Sequence, residues 1–504
     1  RPRWPREPTM SRYVLALDEG SSTARAVLVD PDGKVAAEAR NPAVPIFPQP
    51  GWVELDPVAL WEAQRQSMLA VLAKAGATTD DLLAVGITTH RETCLLWDRK
   101  TGEPLHHAIT WMSKQTDPIV QRWRAAGLDE EIRERTGTLN DSFFSAPKLA
   151  WFLENVPGAR ARAERGELAA GTVDTWLLWN LTGGRTHRTD HSEASRTALF
   201  SLETLSWDDK LCAACEVPPQ LLAPALPSDA HFGEMRPDDV GLPGTAAVPV
   251  TAVIGDQQSS MFGQACFAEG AAKNTFGTAG VLTANSGRAP VILDGLTASV
   301  AWTMADQTDY EVEGVVFHSG QTLQWLRDSL HVLQDGDDIQ DVAARVPDCA
   351  GLYVVPAFVG MCAPYWKRDA RAGIVGMTLE SRAEHVVRSA VEAMAYQTRD
   401  NVDVLLASGV EVPELKVDGG GACSDLLCQF QADILGIPVV RPAELEQTAL
   451  GVAHLAGMGV GLWRREDLAE RAAVERVFEP AMSEDRREEL YAGWRAAVAR
   501  VIDG

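Results

Sequence analysis

Three stretches of this chain carry residue types suited to gripping a phosphate. The first, "YVLALDEGSSTARAVLVDPDGK" (Tyr13 to Lys34), sets Asp18, Gly20, Ser21, Ser22 and Thr23 between two apolar runs. A hairpin needs only a tight turn. This one adds a carboxylate, hydroxyl donors and, at a glycine, backbone that a ligand can approach closely. Successive backbone N–H groups in such a turn form a concave anion site, and an Asp at a strand end can hold Mg²⁺ directly or through water. The parts suit the β- and γ-phosphates of MgATP, although an ordinary hairpin explains any one of them as well. "KNTFGTAGVLTANSGR" (Lys273 to Arg288) repeats the order of strand, glycine-hydroxyl turn and strand, and "LKVDGGGACSDLLCQF" (Leu415 to Phe430) takes a third glycine turn from a strand into a helix. Three such turns in one chain favour phosphate chemistry.

Two further stretches carry acid–base and polar chemistry. Transfer of a phosphoryl group from ATP needs an acceptor hydroxyl in line, removal of its proton, and neutralisation of the charge on the γ-phosphate. In "GDQQ" (Gly255 to Gln258) an Asp ends an apolar run, where it could take that proton; it could equally cap a helix beginning at Gln257. "HRET" places Arg91 and Glu92 side by side after another apolar run, able to aim a guanidinium and a carboxylate at hydroxyls, or to be a plain surface charge pair. Cys212 and Cys215 form a CxxC without a second ligand pair at zinc spacing, so they read as two small residues on a helix.

The elements that must carry these residues read as α/β, because strand-like runs alternate with helical periodicity throughout. "PVALWEAQRQSMLAVLAKAG" (Pro57 to Gly76) and "AEHVVRSAVEAMAYQTRDNVDVLLASG" (Ala383 to Gly409) are helical and close on glycine. At 504 residues the chain exceeds one ordinary core. The echoed hairpins suggest two related domains facing a cleft, residues 13–254 and 255–504. Residues 1–12, basic and proline-rich, read as a disordered extension, with Met10 as the natural start. A net charge of −24 argues against a nucleic-acid binder, and no apolar run is long enough for membrane insertion. Eight scattered cysteines suit a reducing, cytoplasmic setting.

The wording of these stretches resembles the FGGY family of carbohydrate kinases, and within it the glycerol kinase branch. "FFSAPKLAWF" and "AGIVGMTLESRAEHVVRSAVE" fit the two family patterns, and "PGWVELDP", "ITTHRET", "GTVDTWLLWNLTGG", "ASRTALF", "GDQQSSMFGQ" and "VVPAFVGMCAPYW" extend the likeness over nearly the whole chain. The resemblance implies two actin/hexokinase-like (RNase H-like) ATPase domains around a central cleft, ATP and Mg²⁺ as cofactors, a small polyol or sugar as acceptor, and a homodimer or homotetramer. By position it implies Asp18 as the magnesium carboxylate and Ser21, Ser22, Thr23 and Arg25 at the first phosphate loop. Thr278 would lie at the second loop, Gly320 and Gln324 near the nucleotide, and Gly421 and Asp425 around adenosine. It makes Asp256 the general base, with Gln257, Arg91 and Glu92 on the acceptor and Trp111 over its carbons.

Several positions depart from that branch. Phe143 stands where it has a substrate-contacting tyrosine, Val281 where it has a phenylalanine, Asp425 where it has asparagine, His90 and Glu19 where it has glutamine, and Met112 and Gln115 alter the stretch after Trp111. Losing a hydroxyl and an aromatic ring implies a wider acceptor pocket, so a tetritol, pentitol or ketopentose stands as the alternative to glycerol. A non-catalytic binding protein is a further alternative, but it has no need of Asp256. Where some bacterial relatives bind fructose 1,6-bisphosphate, "DDVGLPGT" (Asp238 to Thr245) offers no basic residue, which implies no such inhibition.

Overall fold

The structure, a computed structural model, describes residues 12–305, 307–333, 336–471 and 473–503. The expected N-terminal extension therefore lies outside the described residues, apart from Arg12. The chain divides into two compact units. The first holds the chain up to Ala265 with Ser299–Tyr310 and Gln447–Glu470; the second holds Cys266–Ala298, Glu311–Glu446 and the chain from Arg471.

In the first unit, β1 (Tyr13–Glu19), β2 (Thr23–Val29), β3 (Val35–Pro42), β4 (Leu82–Thr89), β5 (Gly233–Met235) and β6 (Val248–Gly255) form one sheet in the order β5-β6-β4-β1-β2-β3. β1 and β2 pair antiparallel, as the hairpin reading requires, while β4 lies parallel to both β1 and β6. The parallel strands are almost continuously apolar because both faces of the sheet are covered. The helix Pro57–Ala75 covers one face; the Asp56 carboxylate accepts from Val58 N at its start and Gly76 closes it at φ 62°. The helix Gln447–Gly459 covers β4 at Gly86, where a Cβ would stand 2.7 Å from the Val452 carbonyl. β6 runs straight into the helix Asp256–Gly263, so the boundary expected between residues 254 and 255 falls inside this unit, at a strand–helix junction.

The second unit repeats the plan. β7 (Ala272–Phe276), β8 (Gly280–Gly287), β9 (Thr297–Met304), β10 (Gln307–Val316), β11 (Leu415–Asp418), β12 (Val439–Pro442) and β13 (Val474–Phe478) take the order β9-β10-β8-β7-β11-β12-β13, with Ser299–Tyr310 of β9 and β10 grouped with the first unit. β7–β8 is an antiparallel hairpin, β7 is parallel to β11, β11 to β12, and β13 closes the edge antiparallel. Strand for strand this matches β1–β2, β1–β4, β4–β6 and β6–β5. The echo between the two glycine-hydroxyl turns is thus a repeat of topology. The helix Ala383–Ala407 forms much of this unit's core through Val387, Ala390, Val391 and Met394. No helix among the described residues is long and apolar enough to cross a membrane.

Candidate active site

In the first unit the polar residues gather at the C-terminal ends of β1, β4 and β6, three neighbouring strands. Register alone sets Asp18 opposite Arg25 on one side and Thr88 on the other. The Asp18 carboxylate lies 3.8 Å from Arg25 Nη1 and keeps partial exposure. The turn after it is closed by Gly20 N donating to Thr23 O at 2.9 Å, which leaves Ser22 exposed and Ser21 half-buried. Trp111 Nε1 donates to Ser21 Oγ at 2.8 Å, so the turn hydroxyl and the tryptophan are in direct contact. Trp111 in turn meets the edge of Phe143 at 5.7 Å between ring centroids. Lys148, fully buried, donates to the carbonyls of Phe143 and Phe144 at 2.6 and 2.7 Å.

The acid–base candidate is held closely. Asp256 Oδ1 forms an ion pair with Arg91 Nε at 3.1 Å and accepts from the neighbouring Gln257 N at 2.7 Å; Oδ2 accepts from the Gln257 amide at 3.3 Å. The helix begins at Asp256 itself, with Gly255 as its cap residue, so the carboxylate serves the helix terminus and also faces Arg91. Its side chain keeps 23 % exposure while that of Arg91 keeps 5 %. Arg91 Nη1 also donates to Gln258 Oε1 at 3.3 Å. Glu92 is buried and receives Arg196 Nε at 2.7 Å. The adjacent charges are therefore no surface pair: Arg91 faces Asp256 and Glu92 faces Arg196. His90 is buried behind them, its Nδ1 at 3.0 Å from Glu19 O; burial lowers its pKa.

In the second unit the nucleotide candidates also converge. Thr278 is exposed in the turn after β7, and its carbonyl accepts from Ser319 N at 3.1 Å. Gly320 N donates to Gly277 O at 3.0 Å; a Cβ on Gly320 would lie 2.9 Å from that carbonyl, so only glycine fits without movement. Gln324 is exposed one turn along the helix Gly320–Asp328. Gly421 packs on Phe276, whose Cβ would be 2.7 Å from a Cβ there. Val281 is buried at the start of β8. Asp425 differs from expectation in its partners: its carboxylate is taken by Arg441 at 2.8 Å and Arg476 at 2.6 Å. Both arginines come from β12 and β13, too far along the chain for local spacing to reveal. Cys212 and Cys215 are buried and their thiols are pushed up to about 12 by burial, as two core residues would be.

Reading motifs left one buried group unnoticed. Arg196 lies within "ASRTALF" and is 0 % exposed, with its guanidinium 5.4 Å from the Phe144 ring centre. An arginine among small residues gives no sign of burial. A facing carboxylate, more than a hundred positions earlier, answers its charge.

Comparison with known proteins shows which family the chain resembles along nearly its whole length. Models of the N-terminal and C-terminal domains of the FGGY family of carbohydrate kinases match residues 13–263 and 272–460. A glycerol kinase of Halorhodospira halophila is 46% identical over 98% of this chain and 97% of its own length. One from Symbiobacterium thermophilum is 46% identical over 97% and 98%. Among solved structures, Plasmodium falciparum glycerol kinase with ADP superposes at a TM-score of 0.89, with 30% identity and 98% of each chain covered.

Proposed function

The chain belongs to the FGGY family of carbohydrate kinases, and we propose that it moves the γ-phosphoryl group of ATP to a terminal hydroxyl of glycerol, giving glycerol 3-phosphate and ADP. The observation that carries the reading is the set Arg91, Glu92, Asp256 and Gln257 at the ends of the adjacent strands β4 and β6, with Trp111 bonded to Ser21 in the turn after β1 of the same unit. Asp256 takes the proton from the attacking hydroxyl. Its Oδ1 is occupied by Arg91 and the Gln257 N–H, so Oδ2, which carries only the longer amide contact, has room for that proton. Arg91 and Glu92 hold the acceptor's other hydroxyls and Trp111 covers its carbons. As the proton leaves, the hydroxyl oxygen bonds to the γ-phosphorus while the bond to the β-phosphate oxygen breaks.

Ser21, Ser22, Thr23 and Arg25 are assigned to phosphate oxygens, as is Thr278 in the second unit, with Gly320, Gln324 and Gly421 as nucleotide residues. Asp425, engaged by two arginines, shapes that site through its backbone rather than its carboxylate. Asp18, partly exposed at the end of β1 beside the phosphate turn, suits magnesium, which takes one or two carboxylates and keeps several waters. Bound magnesium would neutralise charge on the β- and γ-oxygens. Eight cysteines, none in a disulfide and seven of them buried, favour a cytoplasmic setting.

A second reading, a tetritol, pentitol or ketopentose as acceptor, is favoured by Phe143, which brings a ring edge and no hydroxyl to Trp111. The test is ATP turnover with Mg²⁺ against glycerol, erythritol, threitol, the pentitols and common ketoses. The highest kcat/KM with glycerol supports the first reading; a longer acceptor in first place replaces it. Asp256→Asn is expected to lower kcat by at least about 10²-fold, the scale of general-base catalysis, with ATP affinity by calorimetry within about twofold. A fully active variant would refute the role of Asp256.

A further inference from the structure

The turn that carries Arg91 and Glu92 is strained. Thr93 N donates to Arg91 O at 2.8 Å, and Glu92 between them sits at φ 64°, the geometry of a γ-turn in its rare form. A glutamate there carries a steric cost that glycine would not, so surrounding contacts must hold it. Its carboxylate is also buried, which is costly unless a charge answers it. Ser145 Oγ supports the backbone by donating to Glu92 O at 3.1 Å. Arg196 Nε answers the carboxylate at 2.7 Å.

Arg196 itself is fixed by a short buried segment that touches both neighbouring strand ends. Asp190 caps His191–Ser195 by accepting from Ser192 N and Glu193 N. Ser192 Oγ then accepts from Gly255 N at 2.9 Å, one residue before Asp256. Glu193 Oε1 accepts from Thr89 Oγ1 at 2.8 Å, two residues before Arg91. Arg196 N donates to Glu193 O at 3.1 Å. Residues 190–196 thus contact the approach to Asp256, the approach to Arg91, and Glu92.

We propose that Arg196 is a positioning residue for the phosphoryl acceptor: it fixes the Glu92 carboxylate and, through the strained turn, the hold of Arg91 on Asp256. This rests on the reading of those three residues as acceptor machinery. A pair serving stability alone would act on the melting temperature and leave the acceptor's KM where it was. A pair that positions Glu92 acts on that KM. Lysine cannot replace the arginine fully, because a guanidinium presents its donors in a rigid planar fork and an ammonium is a point charge on a flexible stem.

The experiment uses the full-length protein with glycerol as acceptor and measures KM for glycerol and for ATP separately, with the melting temperature alongside. Arg196→Lys is expected to raise KM for glycerol about tenfold and to change KM for ATP by less than about twofold. Arg196→Met is expected to raise it further, and to add less than about twofold in a Glu92→Gln background, because the two residues act as one pair. Should Arg196→Met fail to fold, Arg196→Lys decides. An active wild type whose Arg196→Lys form keeps the wild-type KM for glycerol overturns this proposal alone. A wild type that phosphorylates no polyol overturns the reading of the site, and this proposal with it.

Discussion

Glu19 stands beside Asp18 at the end of β1, next to the turn assigned to phosphate, and a second carboxylate there would repel the nucleotide if ionised. It is fully buried, and burial followed by the neighbouring Asp18 charge raises its pKa well above the usual carboxylate range. A raised carboxyl pKa favours the protonated form, in which Glu19 adds no charge beside the phosphate turn. Its backbone carbonyl meanwhile accepts from His90 N at 2.8 Å, tying β1 to the turn that carries Arg91. Glu19→Gln keeps the shape of that uncharged form. Its KM for ATP at neutral pH should stay within about twofold of wild type, since no ionic interaction is removed. A clear fall in KM for ATP would show that Glu19 carries charge after all.

The helix Asp256–Gly263 owes its placement to contact with the helix Gln447–Gly459. Their backbones approach so closely that a Cβ on Gly451 would stand 1.8 Å from the Ser259 carbonyl, while Ser259 Oγ donates to Thr448 O at 2.6 Å. Neither backbone can yield locally, so Gly451→Ala must push the Asp256 helix away, and Asp256 lies one turn from Ser259. Overpacking of this kind costs about 1–3 kcal/mol. The variant is expected to melt several degrees lower and to lose kcat; scanning fluorimetry and steady-state kinetics check both, and an unchanged melting temperature with unchanged kcat would sink the argument. Such contacts also mark what could be read in the sequence. The β1–β2 and β7–β8 hairpins were legible, because each is an apolar run, a turn and an apolar run, and the Pro57–Ala75 helix announced its own proline start and glycine stop. Asp256 and Arg91 could be named as candidates from their neighbours alone. Their mutual contact, the Glu92–Arg196 pair and the capture of Asp425 by Arg441 and Arg476 join distant positions, and no local pattern encodes them. The placement of Asp256 with the first unit was missed for the same reason: the helix that holds it in place comes from the far end of the chain.

Across the molecule, buried titratable groups pull stability in opposite directions with pH. His187 is held neutral: Arg99 Nη1 donates to its Nδ1 at 3.2 Å and its Nε2–H donates to Ala170 O at 3.0 Å, while burial and then the Arg99 charge lower its pKa to about 4. The unfolded chain, with a histidine pKa near 6.5, therefore takes up a proton that the native state refuses. The stabilisation from this group is complete above about pH 6.5 and is lost as pH falls toward 4. Asp190 does the reverse. Burial raises it to about 7 in spite of four donors, whereas an unfolded aspartate titrates near 3.9, so its contribution is complete below about pH 4 and is lost as pH rises toward 7. Between those limits each slope amounts to about 1.4 kcal/mol per pH unit, and the two offset one another in the intact protein. Substitution should separate them. Measured by urea unfolding, the stability of His187→Gln relative to wild type should rise by about 2 kcal/mol between pH 6.5 and pH 5, because the variant no longer carries the group that resists protonation. Asp190→Asn loses hydrogen bonds at every pH, yet its stability relative to wild type should climb as pH is raised from 5 to 7. Differences that stay constant with pH would mean that these groups titrate alike in the folded and unfolded chain, and the opposed slopes would fall away; Asp400, beneath Tyr491 and Trp494 and raised by burial to about 6, would then no longer be expected to behave like Asp190.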